Sequence, residues 1–355
     1  MMNSVTGYAA TNSRVRVMYS TLLSEPEKAR LYEAPDLNSL VAVLKPTIYG
    51  TYIERIKDRD LNARRTAFQI RGRLAEAYTS LMHTAPEHAR PLLAQRYRYF
   101  EVDNLKAVLR GIVTGASLDR VRFVLFPYGP DTVLPIQEML EAGSVPAAIE
   151  LLRGTPYYET LSYALKRFSA EQNIFPLEVA LDLSYWRELW KEVNQLPKED
   201  RAHALRIIGA LVDMNNLMWA IRYRVYHHLS EEEVINYTLS FGYRSRDEDV
   251  RAIAAGADIA QVLKRVYPDL ADIDSMLQDE HTGLPKLELE LQRRVVEKCH
   301  SEFIGNPFHI GIPLAYLTLS EAEIQDLVVL IEAKSTQVPF EVFREYLVMG
   351  TRVKA

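Results

Sequence analysis

Along most of the chain, apolar residues recur at the three- and four-residue steps of a helix, and runs that alternate in the manner of a strand are few. The stripe is clearest in residues 99–111, where Leu105, Val108 and Leu109 share one face. It returns in residues 213–223 as Leu217, Ala220 and Ile221, and in a more worn form in residues 323–333 as Leu327, Leu330 and Ile331. One amphipathic helix, here termed the anchor helix, has been written three times.

Its surroundings repeat as well. Upstream, residues 36–49 align with 144–157 without a gap: each opens on an N-cap type of residue, Asp36 or Ser144, and breaks at Pro46 or Gly154 before Thr-x-Tyr. A weaker third version, residues 258–267, fits after one deletion. Downstream, residues 117–129 align with 230–242, and the third copy closes with Val342 and Gly350 in register. Each unit is expected to run short helix, long helix, anchor helix, closing helix, then a glycine suited to a helix C-cap. The period is too long for a solenoid of small repeats. The expectation is three homologous helical units, 1–129, 130–242 and 243–355, with no Gly/Ser-rich linker to let them swing apart.

Within the units, long helices are expected over 60–83, 178–195 and 287–303. Turns are expected at Pro86, Pro197 and the Asn306-Pro307 to Pro313 stretch, and the first helix over 8–23. Residues 121–126 carry β-type side chains, but their aligned copies keep helical spacing, so a helix is expected there too.

Composition narrows the function classes. At 355 residues the chain can bury about three quarters of its unfolded surface. A formal net charge of -5 argues against a dedicated nucleic-acid binder. The basic cluster Arg64, Arg65, Arg71 and Arg73 reads first as a solvated face and second as a site for an acidic protein partner. The single cysteine, Cys299, excludes an intrachain disulfide and reads as a buried structural thiol. Residues 1–8 lack the basic and apolar regions of a signal peptide, and no run approaches eighteen apolar residues, so no direct membrane insertion is expected.

Catalytic signatures are missing: there is no phosphate-binding loop, dinucleotide fingerprint, His-Glu-x-x-His, Cys-x-x-Cys or Gly-x-Ser-x-Gly. His227 and His228 point about 100° apart on a helix, with no carboxylate spaced to complete a ligand set. Glu231, Glu232 and Glu233 follow Ser230 as a capped helix start. No catalytic, cofactor-binding or metal-binding residue is assigned. The polar columns shared by two copies, Asn104 with Asn216 and Arg110 with Arg222, are the candidate partner-binding residues. The plainer reading of the same residues is that Asn bonds to backbone at a neighbouring helix end and Arg ties adjacent units. In the third copy Asp326 and Glu332 take their places. Tyr49, Tyr52, Tyr157, Tyr158 and Tyr267 cluster at the helix breaks, where a ring packs while its hydroxyl stays polar.

The triplicated plan, the opening Tyr8-x-x-x-Asn12-Ser-Arg-Val-Arg16, the Thr-x-Tyr breaks at Tyr49 and Tyr157, and the helix Phe100-Glu-x-Asp-Asn-Leu-Lys-x-x-Leu-Arg110 resemble the C subunit of the prokaryotic A/V-type ATPases. The eukaryotic counterpart is the d subunit of the vacuolar proton pump. The resemblance implies an all-α, funnel-shaped body with pseudo-threefold symmetry and no active site. It further implies a peripheral place on the cytoplasmic mouth of the membrane proteolipid ring, with the central shaft subunits received in a socket, so that rotation linked to ATP drives proton or sodium transport. Two other classes compete with it: an all-α scaffold for soluble partners, and an all-α enzyme using Tyr, His and Glu side chains in a cleft between units.

Overall fold

The computed structural model describes residues 4–129, 132–277 and 280–350. The signal-peptide expectation concerns residues 1–8, of which the first three lie outside the described residues. The chain begins with α1 (Ser4–Tyr19), α2 (Glu25–Glu33), α3 (Leu37–Leu44), α4 (Gly50–Ile53), α5 (Ala63–Thr84), α6 (Arg90–Thr114) and α7 (Leu118–Val121). It continues with α8 (Ile136–Glu141), α9 (Val145–Glu150), α10 (Tyr158–Glu171), α11 (Phe175–Gln195), α12 (Lys198–Val225) and α13 (Glu231–Asn236). The last stretch holds α14 (Asp247–Ala254), α15 (Ile259–Val266), α16 (Ile273–Leu277), α17 (Glu280–Glu302), α18 (Gly311–Ser335) and α19 (Phe340–Phe343). Among the described residues the fold is all-α, with no strand.

The expected short helices begin where their capping residues stand. Asp36 accepts from the Ser39 amide at 2.8 Å, Ser144 Oγ from the Ala147 amide at 3.4 Å, and Asp258 from the Ala260 amide at 2.9 Å. Each such cap stabilises its helix by about 1 kcal/mol. The breaks are built alike too. Thr47 Oγ1 donates to the Leu44 carbonyl at 2.7 Å and accepts from the Tyr49 amide at 3.2 Å; Thr155 does the same to Leu152 and Tyr157 at 2.7 and 3.3 Å. These hydroxyls satisfy backbone groups that the ending helix leaves open.

Six long helices set the architecture. Each packs on the next, in the order α5, α6, α11, α12, α17, α18, and α18 returns to α5, closing a ring. The apolar columns of the three anchor helices, α6, α12 and α18, face inward. Leu105, Val108, Leu109, Leu217, Ala220, Ile221, Leu327, Leu330 and Ile331 are all buried. Among the described residues α12 is the one helix long and apolar enough to cross a membrane by length and composition, yet 72% of its most apolar stretch is buried inside the fold. It is a core helix of the ring.

Two expectations are corrected. Pro313 does not break the chain: α18 starts at Gly311, so the proline falls in the first turn, where its missing N–H has no intrahelical partner to lose. The closing helices are single turns or little more, α7, α13 and α19. Beyond them the chain turns and meets a side chain of the anchor helix. The closing glycines therefore cap no helix. Gly129 adopts φ 90° in a loop, and at Gly242 a Cβ would press on the Ser245 carbonyl and on Asp213 Oδ1.

Candidate functional site: a cavity inside the helix ring

Three carboxylates hold the ring together, and all stand four residues before the leucine of the anchor column. Glu101 on α6 accepts from the Tyr157 hydroxyl at 2.6 Å, from Thr132 Oγ1 at 2.8 Å and from the Val133 amide at 2.7 Å. Glu323 on α18 accepts from the Tyr49 hydroxyl at 2.7 Å and from the Leu23 amide at 2.8 Å. Asp213 on α12 accepts from the amides of Tyr243, Arg244 and Ser245 at 2.7, 2.8 and 3.2 Å and from Ser245 Oγ at 2.9 Å. Burial, followed by the charge of Asp213, pushes the pKa of Tyr267 upward. Tyr157 and Tyr49 are displaced upward in the same sense by burial and by Glu101 and Glu323. Tyr49 and Tyr157, the tyrosines of the two Thr-x-Tyr breaks, each meet the acid of the anchor helix before them in the ring, and in the worn copy Asp213 binds the 243–245 turn and acts on Tyr267 through its charge. The sequence reading missed these acids, although an acid stands in that column of all three copies.

The sequence-derived candidates lie close by. Asn104 Oδ1 accepts from the Phe126 amide at 2.6 Å and Nδ2 donates to the Phe126 carbonyl at 2.9 Å. Asn216 makes the same pair with Leu239 at 2.7 and 2.8 Å. Asp326 accepts from the amides of Val348 and Met349 at 2.7 and 2.8 Å, and burial pushes its carboxyl up to about 6. All three are buried, and each pins the segment after a closing helix. Arg110 pairs with Glu178 on α11, and Arg222 with Glu288 on α17 at 2.5 Å, each tying an anchor helix to the long helix that follows it. The third seam has no such ion pair among the described residues: Glu332 on α18 acts on Arg71 on α5 only through its charge, without contact. The four candidates thus do not form one site. Asn104 stands in the wall of a cavity, Asn216 inside the fold, and the two arginines in separate seams.

That cavity, about 500 Å³, opens inside the ring and is lined by all six long helices, with Arg71, Tyr99, Trp186, Met214, Gln292 and Val328 contributed one by each. Its deep end holds an ion pair, Arg96 with Glu321, and the Tyr78 hydroxyl donates to the same glutamate. Further along α18 the wall is mostly apolar, with Ile324, Val328 and Val329 beside the exposed Gln325. A paired charge at the floor and an apolar wall suit an inserted side-chain surface.

One cluster elsewhere has the residue types of a cation site: His203 on α12, Glu302 at the end of α17 and His309 before α18. His203 Nδ1 lies 2.6 Å from Glu302 Oε2, and the two imidazole rings stack with centroids 3.3 Å apart and planes 9° from parallel. In-plane lone pairs on parallel rings do not converge on one ion, and His309 Nδ1 already accepts from the Gly311 amide at 3.1 Å. The cluster is a polar joint between helix ends. Arg206 adds a second bond to Glu302 at 3.2 Å.

A closed ring of helices around an open cavity defines the class: an all-α helical body. The model of the ATP synthase (C/AC39) subunit family matches residues 11–346, and the chain belongs to that family. It is similar to the A-type ATP synthase C subunit of Methanocaldococcus jannaschii, 25% identical over 98% of this chain and 88% of that protein. The A-type ATP synthase C subunits of Methanothermobacter thermautotrophicus (24% identical, 92% of this chain and 84% of that one) and Thermococcus onnurineus (22%, 91% and 85%) are similar to it as well. The chain is thus a component of A/V-type ATPase complexes.

Proposed function

We infer that the chain is a non-catalytic central-stalk subunit of a rotary A/V-type ATPase. In this reading units 1–129, 130–242 and 243–355 are three versions of one module, arranged with pseudo-threefold symmetry into a funnel-shaped body. The cavity receives the tip of the central shaft subunits. The body rests peripherally on the membrane proteolipid ring, on the cytoplasmic side, and passes rotation between them for proton or sodium transport. The observation that carries the reading is the recurrence of three clamp sets around one cavity: the acid column, the Asn104, Asn216 and Asp326 column, and the seam charges. Torque passes only through a body that does not shear, and buried, bonded seams of this kind resist shear.

Asn104 serves partner binding by fixing the segment at Phe126 that lines the cavity, Asn216 by fixing its counterpart at Leu239 within the fold, and Arg110 and Arg222 by fixing the distance between helices. Co-purification from detergent-solubilised membranes tests the assignment. A tagged chain is expected to bring down proteolipid and shaft subunits together, and recovery of the chain without either would refute it. The double reversal Arg110→Glu with Arg222→Glu is expected to loosen the seams and weaken shaft binding; unchanged shaft binding would remove the two arginines from the docking account.

A further inference from the structure

Five charged side chains line the cavity: Arg71, Arg96, Asp103, Glu288 and Glu321. Four are neutralised at short range. Arg96 pairs with Glu321, Asp103 with Lys106 at 2.9 Å, and Glu288 with Arg222 at 2.5 Å. Among the described residues Arg71 has no carboxylate in ion-pair contact. Its hydrogen bond to the Val124 carbonyl is long, 3.4 Å from Nη1, and leaves most of its five N–H donors unused. The acids whose charge reaches it are Asp103 on α6, already held by Lys106, and Glu332 on α18. Burial pulls its guanidinium below the ordinary arginine value, as expected for a desolvated cation short of counter-charge.

The surroundings narrow what supplies that charge. Beside Arg71 the exposed Val124 forms part of the cavity lining. Next to it the Phe123 ring stands edge-on to Phe68 at 5.8 Å, with Arg65 and Arg122 lying over it. Those two arginines are already paired, with Asp60 at 2.9 Å and Asp119 at 3.2 Å. One unpaired guanidinium set among valines and aromatic rings is too little positive charge for a phosphate chain or nucleic acid. It suits a single carboxylate carried by an otherwise apolar protein surface, which an arginine fork grips bidentately.

We propose that Arg71 is the recognition residue of the cavity, receiving an Asp or Glu side chain from the protein segment that inserts there. The inference rests on the docking reading above and adds the chemistry of the partner.

The test measures binding of the purified central-shaft subunit of the same ATPase to the full chain. Arg71→Glu is expected to raise Kd about 10- to 100-fold, and Arg71→Lys less, because the ammonium loses the fork geometry. The affinity of the wild-type chain is expected to fall more steeply with salt than that of Arg71→Ala. Replacing one shaft carboxylate by Lys is expected to restore binding to Arg71→Glu. Gln325→Trp, at an exposed position of the cavity lining, blocks entry without touching the core. Thermal melts confirm that each variant is folded. Unchanged Kd for Arg71→Glu while Gln325→Trp abolishes binding would overturn the carboxylate inference and leave the docking reading standing. Unchanged binding in both variants would overturn the docking reading itself.

Discussion

At the scale of single residues, the fold depends on acids placed where water does not reach. Glu101 is 2% exposed and has bonds to both of its oxygens, among them the Tyr157 hydroxyl. Tyr157→Phe removes that donor while keeping the ring, and leaves a buried carboxylate one partner short. The expected loss is about 1–3 kcal/mol, read as a lower urea midpoint with an unchanged slope. Asp326 offers a sharper case. Its folded pKa lies near 6, above the value of an unfolded aspartate, so the folded state holds the proton more tightly. The contribution of this group therefore favours folding at low pH and is lost as pH rises from about 4 through 6, a change of roughly 2–3 kcal/mol. Asp326→Asn gives the third clamp the amide found at Asn104 and Asn216, and is expected to flatten that limb of the stability profile, followed by denaturant titration at each pH. The sequence reading marks Asn104, Asn216 and Asp326 as one column and offers backbone as the partner of the two Asn, but not which backbone group. Nothing in helical periodicity says that an amide will reach a backbone group about two dozen residues away.

At the scale of elements, what was legible is what periodicity and capping encode. The three buried columns, the capped short helices and the Thr-x-Tyr turns all appear where the sequence places them. The closing helices appear there too, but stop after a turn or little more. Their residues have helical spacing, but the amide of Phe126, of Leu239 and of Val348 is claimed by an anchor side chain, and a long-range bond to a buried group prevails over a weak local preference. Pro313 departs from expectation for a related reason: a proline reads as a break unless the residue that starts the helix is known. The joint of His203, Glu302 and His309 was invisible because its members come from three separate stretches of chain. It carries a prediction of its own. Burial, and then the neighbouring His203, lower the pKa of His309. Its contribution to stability is thus present above the unfolded value near 6.5 and is lost as pH falls below it. His309→Asn keeps an acceptor for the Gly311 amide and does not titrate. The variant is expected to show a shallower loss of thermal stability between pH 6.5 and 5 than the wild-type chain.

At the scale of the whole molecule, the three columns recur on the three anchor helices, and the ring closes where α18 meets α5. That last seam joins the first and final parts of the chain through Tyr49 with Glu323, Arg73 with the Tyr316 hydroxyl at 2.9 Å, and Lys334 Nζ with the Tyr32 carbonyl at 2.7 Å. A ring closed by buried polar bonds is stiff against twisting, and stiffness is what the proposed coupling between a shaft and a membrane rotor requires. The most direct test is the number of ions moved per ATP hydrolysed by the reconstituted complex in sealed vesicles, with the chain present and with it left out. The account predicts that without the chain ATP hydrolysis continues while ion transport stops, and that adding the chain back restores the ratio. Transport that stays coupled to hydrolysis in its absence would contradict it.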